Sequence, residues 1–464
     1  MLISLSEVLK ATGGIAASGK KDILFKGIST DSRTVKRGEL FIPLNGPNFD
    51  GHDFIAAALK KGAAGALSSK KLNGLPKGKT IIILPPHSVK DRKFYPALKA
   101  LLALARLYKS RFSVKTVAVT GSSGKTTTKD MVHGVLSAQG PTLKTEENLN
   151  NEIGVPLTVF KLSKKHKFAV IEMGMQGPGE IKPLSLVCAP DIAAITNIGE
   201  AHLARLKTKR SIAKAKSEII SGVKPAGAVI LNADDDFFPF LKKSSKGKKI
   251  VSIGINKDSA LRARDIIETG KGTLFSLRIS GKIHRFFIPL PGRHNVYNAL
   301  IAVATGLFFK VPISRIKKGL ENFKTSSKRM NLITVKGGIK LIDDTYNANP
   351  SSMAAALKTL ASAKGRKIAV IGDMLELGPN SNKYHREIGR LMKHLGIDIV
   401  VAVGRKAKYF LDHLRREQGS HFRDNVQASK FLLAILRPGD NVLLKASRGM
   451  KLEEITQKFL DNRS

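Results

Sequence analysis

The segment Val117–Thr128, V-A-V-T-G-S-S-G-K-T-T-T, has residue types and spacing suited to holding phosphate. An apolar run leads into a glycine loop, and the loop ends in Lys-Thr where a helix is predicted to begin. Gly121 and Gly124 allow a tight turn that presents backbone N–H groups to a phosphate. Lys125 supplies a positive charge, and the hydroxyl of Thr126 can ligate Mg²⁺. The segment predicts a nucleotide-phosphate site of the short T-G-x-x-G-K-T form, because the longer pattern needs a further glycine that this chain lacks.

Polar residues follow two other predicted strands. Lys167–Ile171 runs into Glu172 of E-M-G, and Asp191–Thr196 runs into N-I-G-E-A-H, which ends at His202. Ligands of open parallel sheets bind beyond the carboxyl ends of the strands, so both side chains are expected near the loop. A carboxylate and an imidazole there can complete or support a Mg²⁺ shell. Either residue alone would be read as structural or solvated.

Three further segments are rich in polar residues. Thr145–Pro156, T-E-E-N-L-N-N-E-I-G-V-P, holds a dense set of amides that suits a polar substrate but also fits an ordinary asparagine-rich loop. Asp343–Pro350 follows a predicted strand and precedes a helix, so it is either a helix cap or part of a site. Ser447–Gly449 follows the last predicted strand in the same way, and it could equally be a strand cap.

The elements that must position these residues form an α/β chain of three blocks, 1–86, 87–324 and 325–464. The first block begins with a helix at Leu5–Thr12 and ends with a strand at Thr80–Leu84. Strands alternate with helices in the second block, which predicts a parallel sheet with helices on both faces. The third block restarts this alternation and predicts a small doubly wound domain.

The predicted strands of the second block lie at 114–120, 168–172, 191–197, 227–232 and 249–254, with a hairpin over 272–289 at the sheet edge. In the third block, strands are predicted at 339–342, 367–372, 399–403 and 441–446, and helices at 351–363, 381–395, 406–416 and 451–460.

Composition limits the class of protein. The 464 residues carry 79 Lys and Arg against 36 Asp and Glu, a net charge of +43, but the cations are scattered and no nucleic-acid-binding module is recognisable. A generally basic proteome explains this charge more simply than a polyanion partner does. The single cysteine, Cys188, excludes an internal disulfide and fits a reducing compartment. With no signal peptide and no long apolar run, a cytoplasmic protein is expected.

Taken in order along the chain, these segments resemble the Mur ligase family, which builds the peptide stem of peptidoglycan. The likeness extends over essentially the whole chain and includes S-T-D-S-R, N-F-D-G-H-D-F, G-R-H-N-V-Y-N-A-L, G-D-M-L-E-L-G and S-R-G-M. Each motif is weak to moderate alone, but the ordered set is specific. The D-N-P-R element of diaminopimelate-adding members is absent. The chain is most similar to the branch that adds a dipeptide.

The resemblance implies a fold and an activity. It implies a small N-terminal α/β domain that binds UDP, a central P-loop-type parallel-sheet domain that binds ATP, and a C-terminal Rossmann-like domain. The implied reaction adds D-alanyl-D-alanine to UDP-N-acetylmuramoyl-tripeptide through an acyl phosphate, with ATP and Mg²⁺. It needs no partner protein and no nucleic acid, and a monomer is expected.

The resemblance also implies site residues. The catalytic set is Lys125, Glu172, His202 and Lys216, and Mg²⁺ would be held by Thr126, Glu172, His202 and Lys216 if this lysine is carbamylated, with Lys214 as the alternative register. ATP would contact Gly121, Ser122, Ser123, Gly124, Lys125, Thr126, Thr127, Asn295, Asn298, Arg329 and Asp344. The muramoyl substrate would contact Ser29, Asp31, Arg33, Asn48, Asp50, His52, Asn150 and Asn151.

Two alternatives stay open at this point. A sibling Mur ligase or a folylpolyglutamate-synthase-like enzyme would add a single amino acid in place of the dipeptide. A basic nucleic-acid-binding NTPase would bind DNA or RNA tightly, in a salt-sensitive way that survives mutation of Lys125.

Overall fold

The computed structural model describes residues 2–19, 22–46, 48–70, 72, 78–86, 95–269, 271–324 and 329–461. The predicted second and third blocks begin at 87 and 325, which lie outside the described residues.

The N-terminal region is a small α/β unit. Its first helix begins with a capping box, in which the Ser4 side chain accepts from the Glu7 backbone and the Glu7 side chain accepts from the Ser4 backbone. A five-stranded sheet follows in the order β2-β7-β6-β5-β4, parallel except for the β2–β7 pair, while β1 pairs with β3 alone. The elements are β1 (Ile3–Ser4), α1 (Leu5–Thr12), β2 (Ile15–Ser18), β3 (Leu24–Phe25), β4 (Gly27–Ser29), β5 (Glu39–Phe41), α2 (Ile55–Lys61), β6 (Gly65–Ser68) and β7 (Thr80–Ile83).

The central region is built on a seven-stranded parallel sheet. Its strands are short apolar runs that are buried on both faces, as a sheet covered by helices on both sides requires. Within the first of these strands, Val117 and Val119 pack into one core and Ala118 packs into the other. The elements are α3 (Pro96–Ser110), β8 (Lys115–Thr120), α4 (Lys125–Ser137), β9 (Thr142–Lys144), α5 (Gly154–Val159), β10 (Phe168–Glu172), α6 (Ile181–Cys188), β11 (Ile192–Ile195), α7 (Leu203–Leu206), α8 (Lys209–Ser217), β12 (Ala228–Asn232), α9 (Phe238–Ser244), β13 (Lys249–Gly254), β14 (Leu261–Arg262), β15 (Arg264–Thr269), β16 (Gly272–Ile279), β17 (Lys282–Ile288), α10 (Arg293–Phe308) and α11 (Ile313–Glu321).

The strand order of this sheet creates a ligand crevice. The order is β14-β13-β12-β11-β8-β10-β9, so the chain leaves β8, forms β9 and β10 on one side, and crosses to β11 on the other. Such a reversal opens a crevice at the carboxyl ends of the strands around β8. The phosphate loop follows β8 directly and therefore lies in this crevice.

The predicted edge hairpin is a hairpin, but its place in the sheet is wrong. β16 and β17 pair antiparallel as expected, yet they join β15 in a separate three-stranded sheet. One face of this sheet is buried, with Phe275 stacked on Phe286. The hairpin residues alternate in burial because they cover the central core with one face only, and sequence alternation does not reveal which sheet a hairpin joins.

The C-terminal region is a second doubly wound unit. Its six strands run in the order β18-β19-β23-β20-β21-β22, parallel except for the β18–β19 pair. The elements are β18 (Asn331–Val335), β19 (Ile339–Asp343), α12 (Pro350–Ala361), β20 (Lys367–Gly372), α13 (Ser381–His394), β21 (Ile399–Val403), β22 (Gly419–Phe422), α14 (Asn425–Ile435), β23 (Asn441–Lys445) and α15 (Glu453–Asp461).

One predicted helix of this region is wrong. The stretch 406–416 forms a 3₁₀ turn at Ala407–Phe410 and a second one beginning at Arg416, not an α-helix. Helix α14 was not predicted from the sequence, although Asp424 caps it by accepting from the backbone N–H groups of Val426 and Gln427. In the described part of the chain, no helix is both long and apolar enough to cross a membrane.

Candidate active site

The conformation of the phosphate loop is held by hydrogen bonds to Asn197, which follows strand β11. The N–H of Ser122 donates to the Asn197 carbonyl at 2.9 Å, and the N–H of Ser123 donates to the Asn197 side chain at 3.0 Å. Gly124 has a φ of +79°, which turns the chain into α4. The N–H groups of the first turn of α4 have no acceptor within the helix, so they remain the donors for a phosphate.

Two lysine amines meet at one carbonyl oxygen of this loop. Lys125 Nζ lies 2.9 Å and Lys216 Nζ 2.8 Å from the Gly121 oxygen. Burial lowers the pKa of Lys125, and burial together with the charge of Lys125 lowers the pKa of Lys216 far below its ordinary value. Lys214, the alternative register, is exposed on α8. The geometry therefore brings Lys216, and not Lys214, into the crevice.

A buried carboxylate faces the same space. Glu172 ends β10 with only 1% of its surface exposed, and its Oε1 accepts from the Asn150 side chain at 2.8 Å. Its Oε2 is buried, with no hydrogen-bond partner in the described part of the protein. A buried carboxylate oxygen left without a donor is costly unless a cation or a ligand satisfies it.

His202 lies at the rim of the site but faces the C-terminal region. Its Nδ1 is 2.7 Å from the Glu376 carboxylate, and this contact lowers the pKa of Glu376. Its backbone has a φ of +57°. The structure therefore places His202 around the predicted site, but its ring contacts a carboxylate of the other region instead of forming a pair with Glu172.

The C-terminal region supplies the opposite wall. Asp344, after β19, forms an ion pair of 2.5 Å with Lys445 at the end of β23. The guanidinium of Arg329 stacks on the Tyr346 ring at 3.8 Å from its centroid. Asn349, the N-cap of α12, donates from its side chain to the Ser123 hydroxyl at 3.1 Å, so this wall touches the phosphate loop.

The start of α10 adds amide groups to the crevice. Asn298 Oδ1 accepts from the Thr128 hydroxyl at 3.1 Å, and Asn298 Nδ2 donates to Asn295 at 3.1 Å. Both asparagines are buried, which fixes α10 against α4. Burial also lowers the pKa of His294 to about 4, so its imidazole is neutral at physiological pH.

These side chains line one cavity of about 540 Å³. Most of the predicted ATP, metal and catalytic residues are among its lining residues, together with the predicted substrate residues Asn150 and Asn151. They are Ser122, Ser123, Gly124, Lys125, Thr126, Thr127, Asn150, Asn151, Glu172, His202, Lys216, Asn295, Asn298, Arg329 and Asp344. Gly121 is not part of this lining, but its carbonyl oxygen holds the two lysine amines.

The predicted UDP-contacting residues form a separate group. None of Ser29, Asp31, Arg33, Asn48, Asp50 and His52 lines the described cavity. Within this group, Asp31 pairs with Arg33 at 2.8 Å and Asp50 pairs with His52 at 2.6 Å. Asn48 is exposed. The structure thus places these six residues in the N-terminal region, apart from the phosphate loop.

The lining residues that were not assigned a role from the sequence include His294, Tyr346 and Lys445. Lys445 had a detectable signal, because a charged residue at the carboxyl end of an otherwise apolar strand is expected at a ligand crevice. Tyr346 and His294 had no separate signal, since each lies among other polar residues and acquires its role only from packing.

Comparison with known proteins agrees with this geometry. Family models described as the Mur ligase family catalytic domain, the Mur ligase middle domain and the Mur ligase glutamate ligase domain match residues 24–99, 119–306 and 328–448. UDP-N-acetylmuramoyl-tripeptide–D-alanyl-D-alanine ligase of Bacillus subtilis is 37% identical, over 99% of this chain and 98% of its own length.

Solved structures agree as well. A crystal structure of MurF from Acinetobacter baumannii has a TM-score of 0.90 and 33% identity, covering 99% of each chain. MurF of Thermotoga maritima, solved in complex with ADP, has a TM-score of 0.83 and 27% identity over 94% of this chain and 97% of its own. With a shared fold, matched domains and similarity over nearly the full length, this chain belongs to the Mur ligase family.

Proposed function

We propose that this chain adds D-alanyl-D-alanine to UDP-N-acetylmuramoyl-tripeptide at the expense of ATP. The observation that carries the proposal is the cavity in which a phosphate loop, the two amines on the Gly121 carbonyl and the buried Glu172 face Asp344 and Arg329. The relative in Bacillus subtilis, similar over nearly its whole length, bears the name of this activity. The division into domains 1–86, 87–324 and 325–464 belongs to the proposal; the three matched family models support the number of domains, although the first of them, 24–99, extends past the boundary at 86.

The chemistry starts from a carboxylate that does not react with an amine at neutral pH. The γ-phosphoryl group of ATP passes to the terminal carboxylate of the tripeptide, which gives an acyl phosphate and ADP. The free amine of D-alanyl-D-alanine attacks the carbonyl carbon, the C–O bond to phosphate breaks, and the amine loses a proton. The protein contributes positioning and charge neutralisation, with Lys125 and the first-turn amides of α4 at the phosphates.

The residues at the site fit a Mg²⁺ ion. The unpartnered Oε2 of Glu172 is a hard oxygen ligand, and the buried Thr126 hydroxyl lies at the head of α4. We assign the ion to Thr126, Glu172 and a carbamylated Lys216, with His202 at the rim. When bound, Mg²⁺ supplies positive charge to the phosphate oxygens.

Carbamylation of Lys216 fits its surroundings. A neutral amine adds to CO₂ to give a carbamate and a proton, and the lowered pKa of Lys216 favours the neutral amine. The product would place an anion beside the ammonium group of Lys125, where there was a neutral amine. The carbamate would also give the site a second carboxylate.

The remaining polar residues are assigned by region. Asn295 and Asn298 would contact adenine, and Arg329 and Asp344 would reach ATP from the C-terminal region. Asn150 and Asn151 would help to place the muramoyl peptide. Ser29, Asp31, Arg33, Asn48, Asp50 and His52 would hold the UDP group, far along the substrate from its reacting carboxylate. The cytoplasmic location and the monomeric state remain predictions.

A panel of acceptors tests the proposal. Phosphate release from ATP would be measured with UDP-N-acetylmuramoyl-tripeptide and either D-alanyl-D-alanine, D-alanine or an L-amino acid, and the products would be weighed by mass spectrometry. We expect release only with the dipeptide, and a product heavier by one dipeptide minus water. Release with a single amino acid would assign the chain to a sibling activity.

A further inference from the structure

The outward face of the three-stranded sheet β15-β16-β17 has a layered pattern of side chains. Residues paired across antiparallel strands lie on the same face, so the pairing registers define rows across the sheet. One row is Ile267–Leu274–Phe287, and the next is Arg264–Ser276–Arg285. A third pair, Arg278–Ile283, follows on the far side of the arginine row.

Apart from the buried Ser276 and the half-buried Phe287, the side chains of this face are exposed, although half of them are large and apolar. Ile267 is 58% exposed, Ile283 63% and Leu274 37%, whereas the opposite face buries Phe275 and Phe286. A soluble domain seldom presents several large apolar side chains together without a partner. The face therefore has the composition of a contact surface.

The charge of the face has one sign. Arg264, Arg278 and Arg285 are all exposed, and none of the paired residues that the structure describes in these rows is acidic. β15 carries two acids: Glu268 pairs with the buried Thr273 and accepts from backbone N–H groups at the start of α10, whereas Asp265 is exposed at the irregularity between Arg264 and Ile267. The positive charge of the face is therefore clearest at Arg278 and Arg285 on β16 and β17, and it fits an anionic partner.

We infer that this face docks on an anionic lipid bilayer, with the row Ile267–Leu274–Phe287 entering the interface and the two arginines of the next row, Arg264 and Arg285, contacting lipid phosphates. Neighbouring rows on one face are about 7 Å apart, which suits an apolar row at the acyl boundary beside a cationic row at the headgroups. The chain-wide net charge of +43 attracts an extended anionic plane more strongly than a small acidic patch.

The inference does not depend on the proposed function, because none of the face residues lines the described active-site cavity. The full chain would be sedimented with sucrose-loaded vesicles of phosphatidylcholine alone, or with 30 mol% phosphatidylglycerol, at physiological salt (about 0.15 M). We expect binding to the anionic vesicles and little binding to the neutral ones.

Two double variants distinguish binding through this face from attraction by the net charge of the whole chain. Arg278→Gln with Arg285→Gln should weaken partitioning about thirtyfold, since each arginine near an anionic surface contributes about fivefold. Ile267→Ser with Leu274→Ser should weaken it while leaving every charge in place. The matched control is Lys242→Gln with Lys243→Gln, two exposed lysines at the end of α9, which should retain most of the binding.

Thermal melting and ligation activity should be unchanged in all variants, because the substituted side chains are exposed and distant from the cavity. Absence of binding to anionic vesicles would overturn the inference. So would equal weakening by the control pair, which would show unspecific charge attraction. Binding of polyglutamate through these arginines without any binding of vesicles would also overturn it, in favour of an acidic protein partner.

Discussion

At the scale of single residues, the chemistry depends on two amines that share the Gly121 carbonyl. Burial disfavours the charged form of both Lys125 and Lys216, and the charge of Lys125 disfavours the charged form of Lys216 further. A nucleotide phosphate would satisfy Lys125, whereas Lys216 gains more from losing its charge. We therefore expect Lys125 to bind phosphate as a cation and Lys216 to become a carbamate, although the two lysines look alike in the sequence.

Lys125→Ala should abolish ligation and leave the fold intact. We expect a fall in turnover of at least about a hundredfold, because the cation at the transferring phosphate is lost. The measurement is steady-state phosphate release, with circular dichroism to confirm folding. Lys164→Ala, which removes an exposed lysine, is the control and should retain activity. Near-normal turnover in Lys125→Ala would refute the assigned role.

Lys216 and Lys214 form a matched pair on one helix. Lys216→Ala should lower turnover by roughly a hundredfold if its carbamate holds the metal, whereas Lys214→Ala should have little effect because this side chain is exposed. Carbon-13 NMR with labelled bicarbonate should show one carbamate signal in the protein without substitutions. That signal should persist in Lys214→Ala and disappear in Lys216→Ala, and its persistence in Lys216→Ala would exclude this site of modification.

His294 should make stability fall in mild acid. Its pKa is lowered from 6.5 to about 4 by burial, so below pH 6.5 the unfolded state binds a proton that the folded state does not. Its contribution to stability is complete above pH 6.5 and decreases toward pH 4, by roughly 1–2 kcal/mol between pH 7 and pH 5. The free energy of unfolding in urea, measured at pH 7 and pH 5 for the protein without substitutions and for His294→Gln, checks this loss. An equal loss in both proteins would assign the effect to other groups.

At the scale of elements, the phosphate loop depends on a glycine that no other residue can replace. A Cβ on Gly121, where φ is +152°, would lie 1.8 Å from the Thr196 hydroxyl oxygen. A Cβ on Gly247, where φ is +82°, would have no heavy atom within 4 Å. An alanine at Gly247 would therefore add backbone strain alone, whereas an alanine at Gly121 would also add a steric clash.

Gly247→Ala should cost about 1 kcal/mol of unfolding free energy and leave nucleotide binding unchanged, because only backbone strain is added. Gly121→Ala should cost more than this and should also weaken ATP binding, because the loop must move away from Thr196. Denaturant titration and calorimetric binding of an ATP analogue measure the two effects. If the variants lost equal stability and both bound the analogue, the clash at Gly121 would be absent.

Much of the element pattern could be predicted, because apolar strands and glycine loops are local signals. The strands 168–172, 249–254, 367–372 and 399–403 have the predicted bounds. The stretch 406–416 could not be predicted in this way, because its buried residues Ala407 and Phe410 are three positions apart, a spacing that fits an α-helix and a 3₁₀ turn equally well. The separate sheet of the hairpin also depends on contacts distant in sequence.

The site was predictable to the extent that each residue follows a strand. Lys125, Glu172 and Asp344 could be placed at strand ends from local pattern alone. Lys445 could have been found by the same rule, as the charged end of an apolar strand, although its ion pair with Asp344 could not. Tyr346 could not be singled out, since its role depends on stacking with Arg329.

At the scale of the whole molecule, the central and C-terminal regions meet through polar contacts around the cavity. Ser351 donates to the Glu200 carboxylate at 2.6 Å, and His202 contacts Glu376 at 2.7 Å. These polar contacts are partly exposed, so each of them stabilises the contact between the two regions only weakly, beside the apolar packing that the regions share. Closure would exclude water from an acyl phosphate.

Glu376→Ala combined with Ser351→Ala should open the free protein. We expect a larger radius of gyration by small-angle X-ray scattering, which returns to the closed value when an ATP analogue and the tripeptide substrate are bound. Glu387→Ala, an exposed acid on α13, is the control and should not change the scattering. An unchanged radius in the double variant would show that the apolar packing between the regions is sufficient for closure.

The central claim is that ATP activates the tripeptide carboxylate before the amine attacks. The most direct measurement uses UDP-N-acetylmuramoyl-tripeptide labelled with ¹⁸O in its terminal carboxylate, together with ATP and D-alanyl-D-alanine, and weighs the released phosphate. An acyl phosphate keeps one carboxylate oxygen on phosphorus when its C–O bond breaks, so we expect one ¹⁸O in the phosphate for each amide bond formed. Formation of the amide product with unlabelled phosphate would exclude an acyl-phosphate intermediate.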